Sequence, residues 1–98
     1  MVKMVIQPSK AKNKRLTAIF YDDSGKKIKT TNFGLKGGST YIDHKDKILR
    51  SRYIARHRVN EDWSDYQSAG ALAKHLLWGA YTDLDKNISA YKRKFKLK

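Results

Sequence analysis

The spacing of apolar residues changes period along the chain, and each change marks an element. Val2, Met4 and Ile6 alternate with Lys3 and Val5, the period of two of a short half-buried strand that Pro8 stops or leaves at a sheet edge. Residues 9–15 are polar, carry Lys10, Lys12, Lys14 and Arg15, and read as a basic loop or arm. From Arg15 to Tyr21 the β-formers Leu16, Thr17, Ile19, Phe20 and Tyr21 follow closely, and Asp22-Asp23-Ser24-Gly25 then leads into a second strand-like run from Lys26 to Phe33. A turn ending in glycine between two such runs predicts a β-hairpin. On its second strand the period of two puts Lys27 and Lys29 on one face and Ile28 on the other, predicting a basic outer face and an apolar inner one.

After the hairpin the period lengthens. Phe33-Gly34 and Gly37-Gly38 bracket a turn, Thr40-Tyr41-Ile42 reads as a further short strand, and Asp43 is placed to cap a helix from about His44 to Arg58. The apolar residues of that helix (Ile48, Leu49, Tyr53, Ile54 and Ala55) do not gather on one narrow arc. Residues 59–67 form an acidic, polar loop around Trp63 and Tyr66. Ser68 is a good N-cap for a helix ending near Gly79, whose Ala69, Leu72, Ala73, Leu76 and Leu77 fall within roughly 140° of a helical wheel. Thr82 is placed to cap a last helix with Asp83 and Asp85 in its first turn and Lys92, Arg93 and Lys94 in its last, each sign where the helix dipole favours it. Leu84, Ile88, Tyr91 and Phe95 form one stripe along it, the clearest amphipathic signal in the chain, and residues 96–98 trail as a basic tail. The predicted architecture is a single α+β domain over residues 1–98, a small antiparallel sheet of an N-terminal strand plus a β-hairpin followed by three helices packed on one face.

Composition narrows the function classes. The chain has no cysteine, which excludes disulfides and thiolate metal sites and favours a reducing compartment. No apolar run approaches the ~18 residues of a membrane span, and the apolar start is shorter than a signal-peptide core, so a soluble, non-secreted protein with no membrane partner is expected. The formal net charge of +13 is segregated: residues 1–58 hold 15 Lys or Arg against 4 acids, residues 59–91 hold 2 against 5, and residues 92–98 hold 5 against none. Charge spread for solubility would not leave an acidic middle, so a polyanionic partner is expected, nucleic acid first. The candidate phosphate contacts are Lys10, Lys12, Lys14 and Arg15, the hairpin lysines Lys26, Lys27 and Lys29, the helix residues Arg50, Arg52, Arg56 and Arg58, and Lys92, Arg93 and Lys94.

Sharper chemistry has weaker support. The last two helices imitate a helix-turn-helix, but Asp83 and Asp85 would face the bases and be repelled, which favours backbone contacts over sequence reading. Tyr21, Phe33 and Tyr41 beside lysines are candidates for base stacking, although core packing accounts for them as well, and for Trp63 and Trp78 too. His44, His57 and His75 lie on different predicted elements, so no metal or other cofactor is expected. Asn60 to Asp65 offers carboxylates for acid–base work, yet loop capping and the offsetting of Arg56 and Arg58 explain the same residues. Gly34, Gly37 and Gly38 are a poor phosphate cradle because an extended segment follows them instead of a helix N-terminus. No Ser has the setting of an activated nucleophile, and the chain is expected not to be an enzyme.

The residues also carry a resemblance. Phe33-Gly34 with Gly37, Tyr41-Ile42-Asp43-His44-Lys45-Asp46, Tyr53-Ile54-Ala55-Arg56-His57, Asn60-Glu61-Asp62-Trp63, Ser68 through Trp78 and Tyr91-Lys92-Arg93-Lys94-Phe95 resemble a family of small, basic, functionally uncharacterised proteins encoded by large DNA viruses of algae and amoebae. The resemblance covers roughly residues 14–98, with Tyr53 to Trp78 its most specific part, and departs at Gly79-Ala80-Tyr81-Thr82, where similar chains would carry Asn-Lys-Pro-Thr. It implies a viral source, with the protein in the virion, viral factory or nucleus. The function then expected is largely sequence-independent nucleic-acid binding in genome packaging or the virion core. The alternatives are a structural protein docking to viral capsid or core proteins, and a small metal-dependent nuclease using His57, His75 and the acids from Glu61 to Asp65.

Overall fold

The computed structural model describes all 98 residues. The alternating segments form β1 (Lys3–Pro8), β2 (Lys14–Tyr21) and β3 (Lys27–Leu35), an antiparallel sheet in the order β1-β2-β3. Cross-strand partners share a face, and the register pairs Met4 with Phe20, Ala18 with Thr31, and Leu16 with Phe33. That face carries the core, where Met4, Ala18, Phe20 and Phe33 pack with Leu72, Leu76, Leu77, Tyr91 and Leu97. Helices after a small antiparallel sheet are the architecture predicted.

Four local details differ from the reading of the sequence. A β-bulge at Phe20/Tyr21 pairs Lys29 with Phe20 but Lys27 with Tyr21, so the two lysines lie on opposite faces. Ile28, freed from the regular ladder, is 45% exposed instead of joining an apolar inner face. Residues 9–13 are no free arm: Ser9 N–H donates to the Arg15 carbonyl at 3.2 Å and Asn13 takes a left-handed φ of 65°, closing a β1–β2 connection, while Lys14 and Arg15 belong to β2. The last residues do not trail. Lys96 turns the chain with a φ of 55°, Leu97 is buried, and Lys98 exchanges backbone bonds with β1, donating to Val2 O and accepting from Met4 N, both at 2.9 Å. One apolar side chain and two hydrogen bonds are enough to hold a segment whose sequence reads as charge alone.

The middle of the chain is rebuilt around a cap. Thr40-Tyr41-Ile42 is not a strand: Thr40 is the N-cap of a one-turn helix α1 (Tyr41–His44), and its amide donates to the Asp43 carboxylate at 2.8 Å. Lys45, with a φ of 59°, ends α1, and Asp46 caps α2 (Lys47–His57) by accepting from the Ile48 and Leu49 amides. The helix expected from His44 to Arg58 is therefore two helices, and Asp43 completes the N-terminal cap of the first instead of starting the second. Ser68 caps α3 (Ala69–Leu72), which continues as a π-helical turn, Ala73–Leu77. Asp83, not Thr82, caps α4 (Leu84–Phe95), accepting from the Asp85 and Lys86 amides.

Two close approaches set how the C-terminal helices sit. Gly34, at a φ of 78° in β3, lies where a Cβ would come within 2.9 Å of the Leu77 side chain, so the strand touches the π-helical turn directly. Gly79 has even less room, since a Cβ there would fall 2.2 Å from the His75 carbonyl. Beside it, buried Asn87 donates to Leu76 O at 3.0 Å and Tyr81 O at 2.8 Å and accepts from Tyr81 N at 3.1 Å. A polar residue inside the apolar stripe of α4 thus locks the loop before it, satisfying carbonyls that the turn leaves open.

Candidate nucleic-acid interface

What the basic residues can do depends on where the acids go. Eight of the nine carboxylates are held within the protein, and all but one of those eight bind a backbone amide, a hydroxyl, a histidine, a tryptophan or the N-terminal amine instead of a Lys or Arg side chain. Asp22 accepts from Ser24 and Lys26 amides, Asp46 and Asp83 cap helices, Asp62 and Asp65 hold the amides of Ser64 and Gln67, and Asp23 holds the N-terminus. Glu61 binds His57 Nδ1 at 3.2 Å and accepts from Trp63 Nε1 at 2.8 Å. The exception is Asp43, which takes a two-pronged bond from Arg15 at 2.7 and 2.9 Å; that guanidinium holds its carboxyl far below the usual carboxylate range. Of 22 Lys and Arg side chains, Arg15 is thus the only one in an ion pair. The acids of the 59–67 loop do not offset Arg56 and Arg58, because the loop amides and the Glu61 partners engage them first.

The cations are distributed over several surfaces. Lys10 and Lys12 lie in the β1–β2 connection with Lys14 at the start of β2, and Lys36 is tied to the same end through its amide bond to Asn13 O at 3.0 Å. Lys26, Lys27 and Lys29 lie at the other end of the same strands, near Asp22 and Asp23, so the two lysine groups are separated by the length of β2. Arg52 and Arg56 are exposed on α2 with Arg58 just after its end, and Lys92, Arg93 and Lys94 run along the last turn of α4. Arg93 faces a cleft with Tyr81, Asp85, Lys86 and Ser89. Only Arg50 and Lys94, among candidates from different elements, are brought to one site, and they meet there a residue that the sequence reading passed over, Lys74.

The helix α2 presents its arginines because of how it is attached. Its Tyr53 ring stacks on Trp78 at 4.2 Å with 3° between the planes, and His57 stacks on the other side at 4.1 Å. Burial of Tyr53 raises its phenol to about 12. Arg50 Nε donates to the carbonyls of Trp78 and Gly79, both at 3.0 Å, closing the end of the π-helical turn. Held along this one edge, the helix leaves Ile48 66% exposed and Leu49 40% exposed next to Arg52.

The remaining candidates for chemistry have structural uses. Phe33 and Tyr41 are buried, and Tyr21 is half-buried on the sheet face that no helix covers. His44 packs edge-on to Trp78, and His75 packs against Tyr91 and Phe95 at 5.4 and 5.8 Å. Burial, reinforced by Lys74 and Lys94, pulls the His75 imidazole down to about 4, so it is neutral at physiological pH. No three His, Asp or Glu side chains converge in a way that would hold a metal ion. Gly34 and Gly37 serve strand–helix contact and a turn. No helix is long and apolar enough to cross a membrane.

The structure defines a small α+β domain whose surface cations are almost entirely uncompensated. The chain belongs to the family of unknown function DUF5754, whose family model matches residues 4–57, that is, the sheet, α1 and α2. No curated protein and no solved structure matches it.

Proposed function

We propose that the protein is a non-enzymatic, largely sequence-independent nucleic-acid-binding protein of a large DNA virus, with double-stranded DNA as its partner, acting in genome packaging or the virion core. One observation carries the binding: eight of the nine carboxylates are committed to caps, turns and side-chain partners, leaving all but one of 22 Lys and Arg side chains free of an ion pair. Such a surface gains from releasing the counterions condensed on a phosphate backbone. The cations lie on several sides and no basic helix end is aimed as a reading head, since α4 begins with Asp83 and Asp85. Contacts of that kind position a protein on nucleic acid without specifying sequence. The viral setting rests on the resemblance of residues 14–98 described above.

Binding to a labelled random-sequence duplex across a salt series tests this. The affinity should fall steeply with salt, and replacing Lys27, Lys29, Arg52 and Arg56 by Gln should flatten the log–log slope by about one per lost phosphate contact. Binding unchanged from low to high salt, or none at low salt, would falsify the electrostatic reading.

A second reading is favoured by Ile48 and Leu49, exposed side by side on the first turn of α2. On it the protein docks to capsid or core proteins of the virion through this turn. Retention of a structural partner after nuclease treatment, lost on Ile48→Asp, together with no DNA binding, would favour it over the first.

A further inference from the structure

Between α2, the π-helical turn and α4 lies a cleft of about 240 Å³ lined by Arg50, Lys74 and Lys94 from three different elements. No carboxylate lines it; the nearest acid of α4 to have a cleft, Asp85, lines a separate one. Three like charges around one hollow repel each other, and burial adds a cost for each cation withdrawn from water. The Lys74 ammonium has no hydrogen-bond acceptor and rests 5.1 Å from the centroid of the Trp63 ring. Its pKa is lowered by burial first and then by Arg50 and Lys94. Arg50 donates hydrogen bonds to the protein only through Nε, its guanidinium carbon resting 5.5 Å from the centroid of the Tyr41 ring, so its two terminal amino groups have no protein acceptor. The wall between them is the Gly79–Ala80 backbone, whose amides make no hydrogen bond within the protein.

Unspent guanidinium, ammonium and main-chain donors around one hollow are the complement of a tetrahedral oxyanion. The geometry points to this cleft as a phosphate-binding pocket that takes a single phosphate group. The phosphate's source as a nucleic-acid strand rests on the function proposed above; the pocket itself does not. A bound phosphate neutralises the repulsion among the three cations, which solvated lysines on a hairpin have no comparable need for. Lys74 and His75 reach the cleft from a π-helical turn, which fits the frequent use of such irregular turns at binding sites. On a strand, the pocket would set the register of a protein whose other cations act only through their field.

The test uses the full chain and two probes. Inorganic phosphate, titrated at constant ionic strength and followed by amide NMR, should shift Gly79, Ala80 and Tyr81 saturably in the unaltered protein and not in Lys74→Gln. Lys94→Gln, at an exposed position, should weaken the response without touching the core, which keeps the test decisive if Lys74→Gln folds poorly. With duplex DNA, Lys74→Gln should lower affinity roughly three- to tenfold and reduce the salt slope by about one. Phosphate that leaves Gly79 to Tyr81 unmoved, or that moves hairpin amides equally without saturation, overturns the pocket whatever DNA does. Pocket shifts with DNA affinity unaltered in Lys74→Gln uphold the pocket and overturn the strand as its source, assigning a small phosphorylated molecule. No DNA binding by the unaltered protein overturns the strand as source and the proposed function together, while the phosphate titration still decides the pocket.

Discussion

The helices α2 and α4 are nearly equal in length, 11 and 12 residues, and both are basic, yet they are attached by different physics. Along α4, Tyr91 lies in the core and Leu84, Ile88 and Phe95 pack against it, while the Tyr91 hydroxyl donates to Tyr66 O at 2.6 Å. Along α2 only Tyr53 is buried, and the helix is held by a flat ring stack and by one arginine on two carbonyls. A helix recruited by the hydrophobic effect gives up one face to the core. A helix clamped at an edge keeps most of its surface free, and α2 uses that surface for Arg52 and Arg56. The comparison separates what stabilises the domain from what it presents to a partner.

Breaking the α4 side should have the largest effect. Tyr91→Ala removes a fully buried ring and its hydroxyl bond, and is expected to cost about 3–5 kcal/mol in chemical denaturation, with sheet and helices unfolding together. Tyr53→Ala removes the stack that holds α2. Its expected cost is smaller, about 2–3 kcal/mol, and local: hydrogen exchange should speed up for α2 amides while β2 and α4 keep their protection. If α2 and β2 amides lost protection equally, the clamp would not be separable from the core.

Acid sharpens the same contrast, because a titrating group lies on each side. His75, packed under α4, is pulled from 6.5 down to about 4, so the unfolded chain takes up its proton first. Its contribution is fully present above about pH 6.5 and is lost progressively as pH falls toward 4. The difference in melting temperature between the protein and His75→Gln should shrink across that window, the other histidines being common to both. Asp43, which joins Arg15 of β2 to α1, has its pKa lowered from 3.8, so its contribution is present above that value and fades only as pH falls below it. Asp43→Ala is the mildest change: loss of a half-exposed ion pair and a cap should cost about 1–2 kcal/mol at neutral pH and nothing extra in strong acid, read from denaturation curves at both.

Legibility in the sequence followed the same division. The hairpin, the Ser68 cap and the α4 stripe were readable because each depends on residues within one or two turns of each other. The break at Lys45 was not, although Thr40 and Asp43 carry a capping-box spacing; the run of β-formers around Tyr41 masks it. Nor did α2 declare its buried edge, since Tyr53 pairs with Trp78, 25 positions away, and ring stacking leaves no periodicity. Lys74 was passed over for a related reason. A lone lysine between Ala73 and His75 in a core helix reads as the polar side of that helix, and its neighbours in space, Arg50 and Lys94, lie on other elements. The only local sign was an ammonium in the middle of an otherwise apolar stretch.

The sequence by itself determined the α+β class, the placing of a three-stranded sheet before the helices, the amphipathic seat of α4 and the segregation of charge, because periodicity, caps and composition act over a few residues and need no partner from afar. Tertiary structure alone decided which charges remain free, that the final residues seal β1, that α2 hangs by its rings, and that three cations share one cleft. Each of these depends on groups distant in the chain being brought within a few ångströms, where Coulomb energy, burial and hydrogen bonding take effect, and that proximity exists only once the chain has folded.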